Sequence, residues 1–333
     1  MTAQPIKTLG LTDPQGRDFR YVRLSITDVC NFKCDYCLPD GYEKNGKNQF
    51  LTLPEIKHTA QSLAKLGVSK IRVTGGEPVL RKDHVEIIRT LKNIDGIKQV
   101  CMTTNGYKIN DYVDQWKDAG LDNLTVSIDS LHPSTFNKIT GHSILDDILK
   151  GLDRAVELGF KQIKVNVVLM QSFNAHEFLQ FVQWVKNKPI TLRFIELMQT
   201  GDNTEFFNKE HVRADSLISQ LSLLGWTAIK KSKTAGPAIE YEHRESIGNI
   251  GFITPYSQDF CKTCNRLRIS STGKLHLCLF GDGGFDLRPF MQADQPQQNL
   301  ISELQSVLGY KKDSHSLHDN ISGSTKHLAM IGG

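Results

Sequence analysis

The sequence predicts an α/β protein: an incomplete (β/α)6 barrel of the TIM type over residues 1–205, followed by a C-terminal extension over residues 206–333. Three observations predict it. Between about residues 20 and 200, strand-like runs alternate with amphipathic helical stretches six times, which implies a parallel sheet. The strand candidates are apolar on one face only. After about residue 205 the alternation stops.

The strand candidates, in order, are RYVRLSIT, SKIRVTGG, KQVCMTTN, NLTVSIDS, QIKVNVVLM and ITLRFIELM. Side chains alternate between the faces of a strand. Val22, Leu24 and Ile26 therefore oppose Arg23, Ser25 and Thr27; Ile71 and Val73 oppose Lys70, Arg72 and Thr74. Leu124, Val126 and Ile128 oppose Thr125, Ser127 and Asp129, and Asn166 opposes Val165 and Val167. A parallel sheet covered by helices on both faces is apolar on both. A closed eight-stranded barrel fills its interior with branched apolar side chains. Six strands with one polar or basic face fit neither, and point to a barrel left open along one side around a wet, ligand-filled interior. Cys101, inside an apolar strand, is expected to be a core thiol.

Helix signals lie between the strands. Thr52, Pro54 and Glu55 form a capping-box pattern with proline expected at the first helical position. Ile148, Leu149, Leu152, Ala155 and Val156 mark another helix, stopped at Gly159. In the extension, EHVRADSLISQLSLLG reads as one helix, TAIKKSK, AIEYEH and GNIGFIT as strands, and residues 298–308 as a further helix.

The formal charge of +4 over 333 residues is below the basic bias of non-specific nucleic-acid binders. No run is long and apolar enough for a membrane span, and the N-terminus lacks a secretory apolar core. A cytoplasmic chain is expected, with its seven cysteines reduced and the clustered ones serving as metal ligands.

Cys30, Cys34 and Cys37 follow the first strand at C-x3-C-x2-C spacing, with Tyr36 before the last. A structural zinc site needs four closed ligands, and this loop has no nearby histidine. Three thiolates bind three irons of a four-iron cluster and leave the fourth open, as a catalytic cluster requires. The pattern resembles the radical S-adenosylmethionine enzymes, a family of partial (β/α)6 barrels. The resemblance implies a [4Fe-4S] cluster on Cys30, Cys34 and Cys37, with its vacant iron chelated by S-adenosyl-L-methionine. It also implies that TGGEP, with Gly75, Gly76 and Glu77, receives the methionyl amino group. Tyr36, Thr104 of TTNG, Ser127 of SIDS, Asn166 and Met198 would then line the cofactor space. Each of these short motifs alone reads equally as an ordinary strand end or βα turn.

Cys261, Cys264 and Cys278 form a second group at C-x2-C-x13-C spacing. Zinc with His276 as fourth ligand and an iron–sulfur cluster are both open on spacing alone. Together with TCNRLRIS and the terminal Gly332-Gly333, this group resembles the branch of the family that cyclises GTP at the opening of molybdenum cofactor biosynthesis. The resemblance implies a second [4Fe-4S] cluster whose open iron binds guanine. It implies GTP recognition by Arg23, Lys70, Arg72, Thr74, Arg193, Arg266 and Arg268, since several inward cations need a polyanion. It implies a tail that inserts into the active site, a role for arginine there being excluded by the arginine-free STKHLAMIGG. The implied reaction is removal of hydrogen from C3′ of GTP by a 5′-deoxyadenosyl radical and closure onto C8. The implied partners are a flavodoxin or ferredoxin as reductant, a downstream cyclic pyranopterin monophosphate synthase, and a second copy in a homodimer, with no nucleic acid or membrane. The rival readings are a peptide-modifying radical enzyme and a zinc-stabilised nucleic-acid-binding protein.

Overall fold

The computed structural model describes residues 10–43, 49–201, 203–230, 236–319, 321–325 and 328–331. Six strands appear where the alternation places them: β1 (Tyr21–Ser25), β2 (Lys70–Thr74), β3 (Gln99–Thr104), β4 (Asn123–Ser127), β5 (Gln162–Leu169) and β6 (Thr191–Glu196). The extension adds β7 (Thr227–Ala228), β8 (Ile239–Glu242), β9 (Asn249–Ile253), β10 (Arg266–Ile269), β11 (Lys274–His276) and β12 (Phe285–Asp286). All twelve join one sheet in the order β12-β11-β10-β1-β2-β3-β4-β5-β6-β9-β8-β7. β10 pairs parallel to β1 and β9 parallel to β6, so the parallel run holds eight strands rather than the expected six. The sheet is mostly parallel and is not closed on itself by hydrogen bonds.

The helices are α1 (Leu53–Lys65), α2 (His84–Lys92), α3 (Ile109–Asp118), α4 (Pro133–Thr140), α5 (Leu145–Glu157), α6 (Phe178–Val185), α7 (Thr204–Glu210), α8 (Asp215–Leu223) and α9 (Gln297–Leu308). Thr52 caps α1 in a full capping box with Glu55, and Pro54 takes the second helical position, one later than expected. Gly159 follows α5 in the left-handed conformation that stops it, φ 65°. The helix expected over residues 210–225 is α8, which starts only at Asp215; α7, which ends at Glu210, was not expected. His211 leaves helical geometry, and buried Glu210 turns back to bind Ser172 through its backbone N–H and hydroxyl, at 2.8 and 2.6 Å.

The core lies between the apolar strand face, with Val22, Leu24, Ile71, Val73, Leu124 and Val126, and the covering helices. Cys101 is fully buried, as expected. Among the described residues no helix is long and apolar enough to cross a membrane.

Candidate active site

The first cysteine loop leaves the C-terminal end of β1. Cys30, Cys34 and Cys37 line one cavity of about 190 Å³. Around it the fold gathers residues from most of the parallel strands: Arg23 from β1, Thr74 at the end of β2 with Gly75 and Gly76 after it, Thr104 at the end of β3, Ser127 at the end of β4, Asn166 from β5 and Met198 after β6. Tyr36 lines the same cavity, and its hydroxyl donates to Asp129 Oδ2 at 2.8 Å. Asp129 also accepts from Val168 N at 2.8 Å, and burial pushes its carboxyl up to about 6 against those bonds.

The glycines of TGGEP have a local reason. Gly76 N donates to Thr27 O at 2.9 Å and Glu77 N to Val29 O at 2.8 Å, so the turn lies directly on the backbone leading into Cys30. A Cβ on Gly75 would fall 2.2 Å from Thr27 O, and one on Gly76 2.3 Å from Val29 O. Glu77 is fully buried. It accepts from Thr104 Oγ1 at 2.8 Å, Asn105 N at 2.6 Å and Val79 N at 3.1 Å, yet burial raises its carboxyl to about 7. It thus ties the end of β3 to the turn after β2.

Burial pushes the thiols of Cys30 and Cys37 up, to about 11 and about 12, and that of Cys34 well above its ordinary value. Such thiols become thiolates when a metal displaces their protons. Among the described residues no group of three or more His, Cys, Asp or Glu side chains gathers around a point as ligands of a single ion would. Three soft, half-buried donors facing one cavity fit a multi-iron cluster.

A basic chamber adjoins this cavity, on the polar face of the sheet. The register sets Arg23 beside Arg72 and Arg268, and Arg193 beside Asn166. Arg72 is buried; its Nε donates to Tyr21 Oη at 2.7 Å and its Nη1 to Met102 O, Thr103 Oγ1 and Thr125 Oγ1 at 3.1, 3.1 and 2.9 Å. Arg193 donates to Asn166 Oδ1 from Nε and Nη2, at 3.0 and 2.6 Å. Burial and the neighbouring Arg72 hold Arg193 down to about 9; burial, Arg23 and Arg266 hold Arg268 well below the usual guanidinium range. Lys70 Nζ sits 5.0 Å above the Tyr21 ring. Lys164 pairs with Glu240 at 2.7 Å, and burial and Arg193 lower it to about 8. Three buried polar atoms here lack a protein partner: Ser25 Oγ, Thr74 Oγ1 and Arg266 Nε. Buried polar atoms without a protein partner call for one from outside the chain or from solvent.

Sequence reasoning missed Tyr21, Lys164, Asp129 and Asn105. Tyr21 and Lys164 lie two residues before Arg23 and Asn166, so the period-two rule already put them on the polar face. Asp129 and Asn105 sit inside the quoted SIDS and TTNG. A hydrogen bond from the Asn105 side chain favours the Cys30 thiolate.

Cys261, Cys264 and Cys278 lie between two cavities. The inner one, about 60 Å³, is shared with Arg266, Arg268 and Met198; the outer one, about 210 Å³, includes Arg17 and Lys311. Met198 therefore lines both the inner cavity and the cavity of the first triad. His276 lines neither; its ring lies against Gly284, and burial and Arg268 lower it to about 4. The zinc reading with His276 as fourth ligand does not match this placement. The histidine beside the triad is His315, hydrogen-bonded to Cys261 and, through Nε2, 2.9 Å from Pro255 O. Burial would raise the Cys261 thiol, but the His315 bonds overcome it and bring it down to about 7. The chain returns to the first site near its end. Leu328 and Ala329 line the cavity of the first triad, the Ala329 backbone bonds the Cys37 thiolate, and Ile331 O accepts from Arg268 Nη1 at 3.2 Å. The expected Gly332-Gly333 contact lies outside the described residues.

Comparison with known proteins gives two family matches: the radical SAM superfamily over residues 24–185 and Molybdenum Cofactor Synthesis C over residues 190–317. A GTP 3′,8-cyclase of Vibrio atlanticus (strain LGP32) is 52% identical over 319 residues, 95% of this chain and 96% of the relative. One of Haemophilus influenzae (strain PittGG) is 50% identical over 337 residues and covers 100% of both chains. Among solved structures, Streptococcus suis SuiB superposes with a TM-score of 0.62 at 15% identity, covering 96% of this chain and 74% of SuiB. That last likeness is one of fold alone.

Proposed function

The chain belongs to the GTP 3′,8-cyclase family of radical SAM enzymes, and from that premise we propose how its two cavities share the work. The activity is radical cyclisation of GTP to (8S)-3′,8-cyclo-7,8-dihydroguanosine 5′-triphosphate, the first step of molybdenum cofactor biosynthesis, with a [4Fe-4S] cluster and S-adenosylmethionine. We assign Cys30, Cys34 and Cys37 to that cluster. When bound, it supplies the electron that splits S-adenosylmethionine into methionine and the 5′-deoxyadenosyl radical that takes hydrogen from C3′ of GTP.

The protein's own part is to hold, orient and exclude. Gly75 and Gly76 leave backbone bare for the methionyl amino group, while Glu77 acts by fixing Thr104 and Asn105. Tyr36, held by Asp129, with Thr104, Ser127, Asn166 and Met198, bounds the cofactor space; Phe32, Leu38, Ile195 and Leu328 keep water from it. Arg23, Lys70, Arg72, Thr74, Arg193, Arg266 and Arg268 take the triphosphate, with Lys164 joining them. The observation that carries this assignment is the set of buried guanidinium groups on one strand face, short of carboxylates, beside polar atoms with no protein partner.

Cys261, Cys264 and Cys278 are assigned to a second [4Fe-4S] cluster that receives guanine at its open iron. Support comes from Met198, which lines both cavities, and from Arg266 and Arg268 beside the second triad. The sheet is proposed to curl into a partial barrel, divided from its extension near residue 205. In a flat sheet β1 and β6, five steps apart, would stand about 24 Å from each other. Yet Arg193 on β6 is influenced by Arg23 and Tyr21 on β1, which supports a strong curl. A flavodoxin or ferredoxin as reductant, a cyclic pyranopterin monophosphate synthase downstream, a homodimer and a cytoplasmic setting complete the proposal; unpaired cysteines throughout accord with the last.

The test is anaerobic incubation of the iron–sulfur-loaded chain with dithionite, S-adenosylmethionine and GTP. The expected result is GTP-dependent 5′-deoxyadenosine and the cyclised product. Without 5′-deoxyadenosine formation that depends on GTP, the assignment fails.

A further inference from the structure

One group in the basic chamber has no part in the scheme above. Tyr21 is the first residue of β1 and pairs in register with Lys70, the first of β2. It is 6% exposed, and its hydroxyl lies among cations. Arg72 Nε donates to it at 2.7 Å, Arg23 shares a side-chain hydrogen bond with it, and Lys70 lies over its ring at 5.0 Å. An ordinary buried phenol needs one partner; this one has two guanidinium groups and an ammonium. The phenol responds: burial would raise it, but Arg72, Arg23 and Lys70 together bring it down to about 7.

Its height in the fold gives the cluster a meaning. The cysteine loop and the cavity of the first triad stand at the C-terminal ends of the strands, where the reacting ribose has to be. Tyr21 stands at the N-terminal end of β1, four residues or about 13 Å below Ser25 at strand rise. A nucleotide with its ribose at the upper end sends its phosphate chain down towards Tyr21. We propose that Tyr21 is a positioning residue of the triphosphate site: its phenol oxygen stands in for a ligand oxygen at the floor of the chamber, presetting Arg72 and Arg23 for the terminal phosphate, while its ring holds Lys70 beside them. Cations packed this closely repel one another and would swing apart if nothing anionic or accepting lay between them. With the phenol in place they are ordered before the nucleotide arrives, so less ordering cost falls on binding. Discrimination by phosphate count follows, because only the longest chain reaches the floor.

The inference rests on the assignment of the polar-face cations to GTP. The experiment compares Tyr21→Phe with wild type as anaerobically loaded holoenzymes, using GTP, GDP, guanosine and inorganic tripolyphosphate as probes. Phenylalanine keeps the ring and removes only the hydroxyl. Iron content and melting temperature report whether the fold survives. The expected result is about tenfold weaker binding of GTP and of tripolyphosphate, with guanosine binding changed less than twofold and the preference for GTP over GDP reduced. KM for GTP should rise by about the same factor, with kcat at saturation falling less than threefold. Equal weakening of guanosine and GTP would make Tyr21 a structural residue, and unchanged GTP and tripolyphosphate binding would make it a filler; either overturns the proposal. If tripolyphosphate fails to compete with GTP for the wild-type chain, the GTP assignment itself falls and takes this inference with it.

Discussion

Gly76→Ala tests how the turn after β2 shapes the cysteine loop. The added methyl would lie 2.3 Å from Val29 O and 2.6 Å from Asp28 O, both backbone atoms. Ordinary contact needs about 3.5 Å, so the loop has to retreat by about 1 Å. That motion breaks Gly76 N to Thr27 O at 2.9 Å and Glu77 N to Val29 O at 2.8 Å. Two buried hydrogen bonds at about 1 kcal/mol each, with about 1–3 kcal/mol of overpacking, give about 3–5 kcal/mol. For a chain of this size that lowers the melting temperature by about 4–7 °C. The displaced backbone leads straight into Cys30, so iron should be lost from the first triad and kept at the second. Calorimetry of the metal-free chain and iron analysis after anaerobic loading read both effects. A melting temperature within about 1 °C of wild type, with full iron, would refute the reasoning.

Arg266→Ala removes a cation whose Nε is buried without a protein partner; GTP affinity should fall about 10- to 100-fold by equilibrium dialysis, with iron content unchanged. Replacing Cys261, Cys264 and Cys278 together by serine should halve the iron of the loaded chain and spare the first triad, read by iron and sulfide analysis. Glu55→Gln probes the start of α1. Burial would raise the Glu55 carboxyl, but bonds from Arg288, Thr52 and Gln292 bring it down to about 2. A depressed acid contributes stability above about pH 4.5 that is lost as pH falls towards 2. Glu55→Gln should therefore be about 2–3 kcal/mol less stable than wild type at pH 7 in urea titrations, with the gap closing below pH 4.

The six central strands were legible because alternation is a local property. A parallel sheet polar on one face shows in Val22, Arg23 and Leu24 without any knowledge of their partners. The flanking strands were not legible as such. NRLRI reads as a possible strand, but its parallel pairing to β1 is a contact with the opposite end of the chain, and no local pattern encodes it. The same holds for histidine at the second triad. Spacing favoured His276, the nearest in sequence, yet β11 faces that ring towards Gly284, and a later segment brings His315 to Cys261. The helix over residues 210–225 failed for another reason. Its start is set by tertiary contacts: Glu210 ends the preceding helix on Ser172, Ala214 N donates to Glu196 Oε1 at 2.8 Å, and α8 begins only at Asp215. The cysteine loops and the cations were legible as candidates, since soft donors and inward charges carry their chemistry in their identity. Tyr21 was passed over because a tyrosine beside arginines looks like any half-polar core residue until its hydrogen bonds are seen.

The placement of β9 and β10 has a consequence for how the protein is made. β1 and β6 bound the central strands, and each completes its backbone pairing only with a strand that emerges later from the ribosome. For β1 the wait is roughly 240 residues, on the order of tens of seconds at ordinary elongation rates. Throughout that interval the nascent chain presents an unsatisfied rim, a template on which other polypeptides can add. Translation arrested near residue 205 would leave both rims bare, and such a fragment should accumulate in the insoluble fraction rather than persist as a free-standing half.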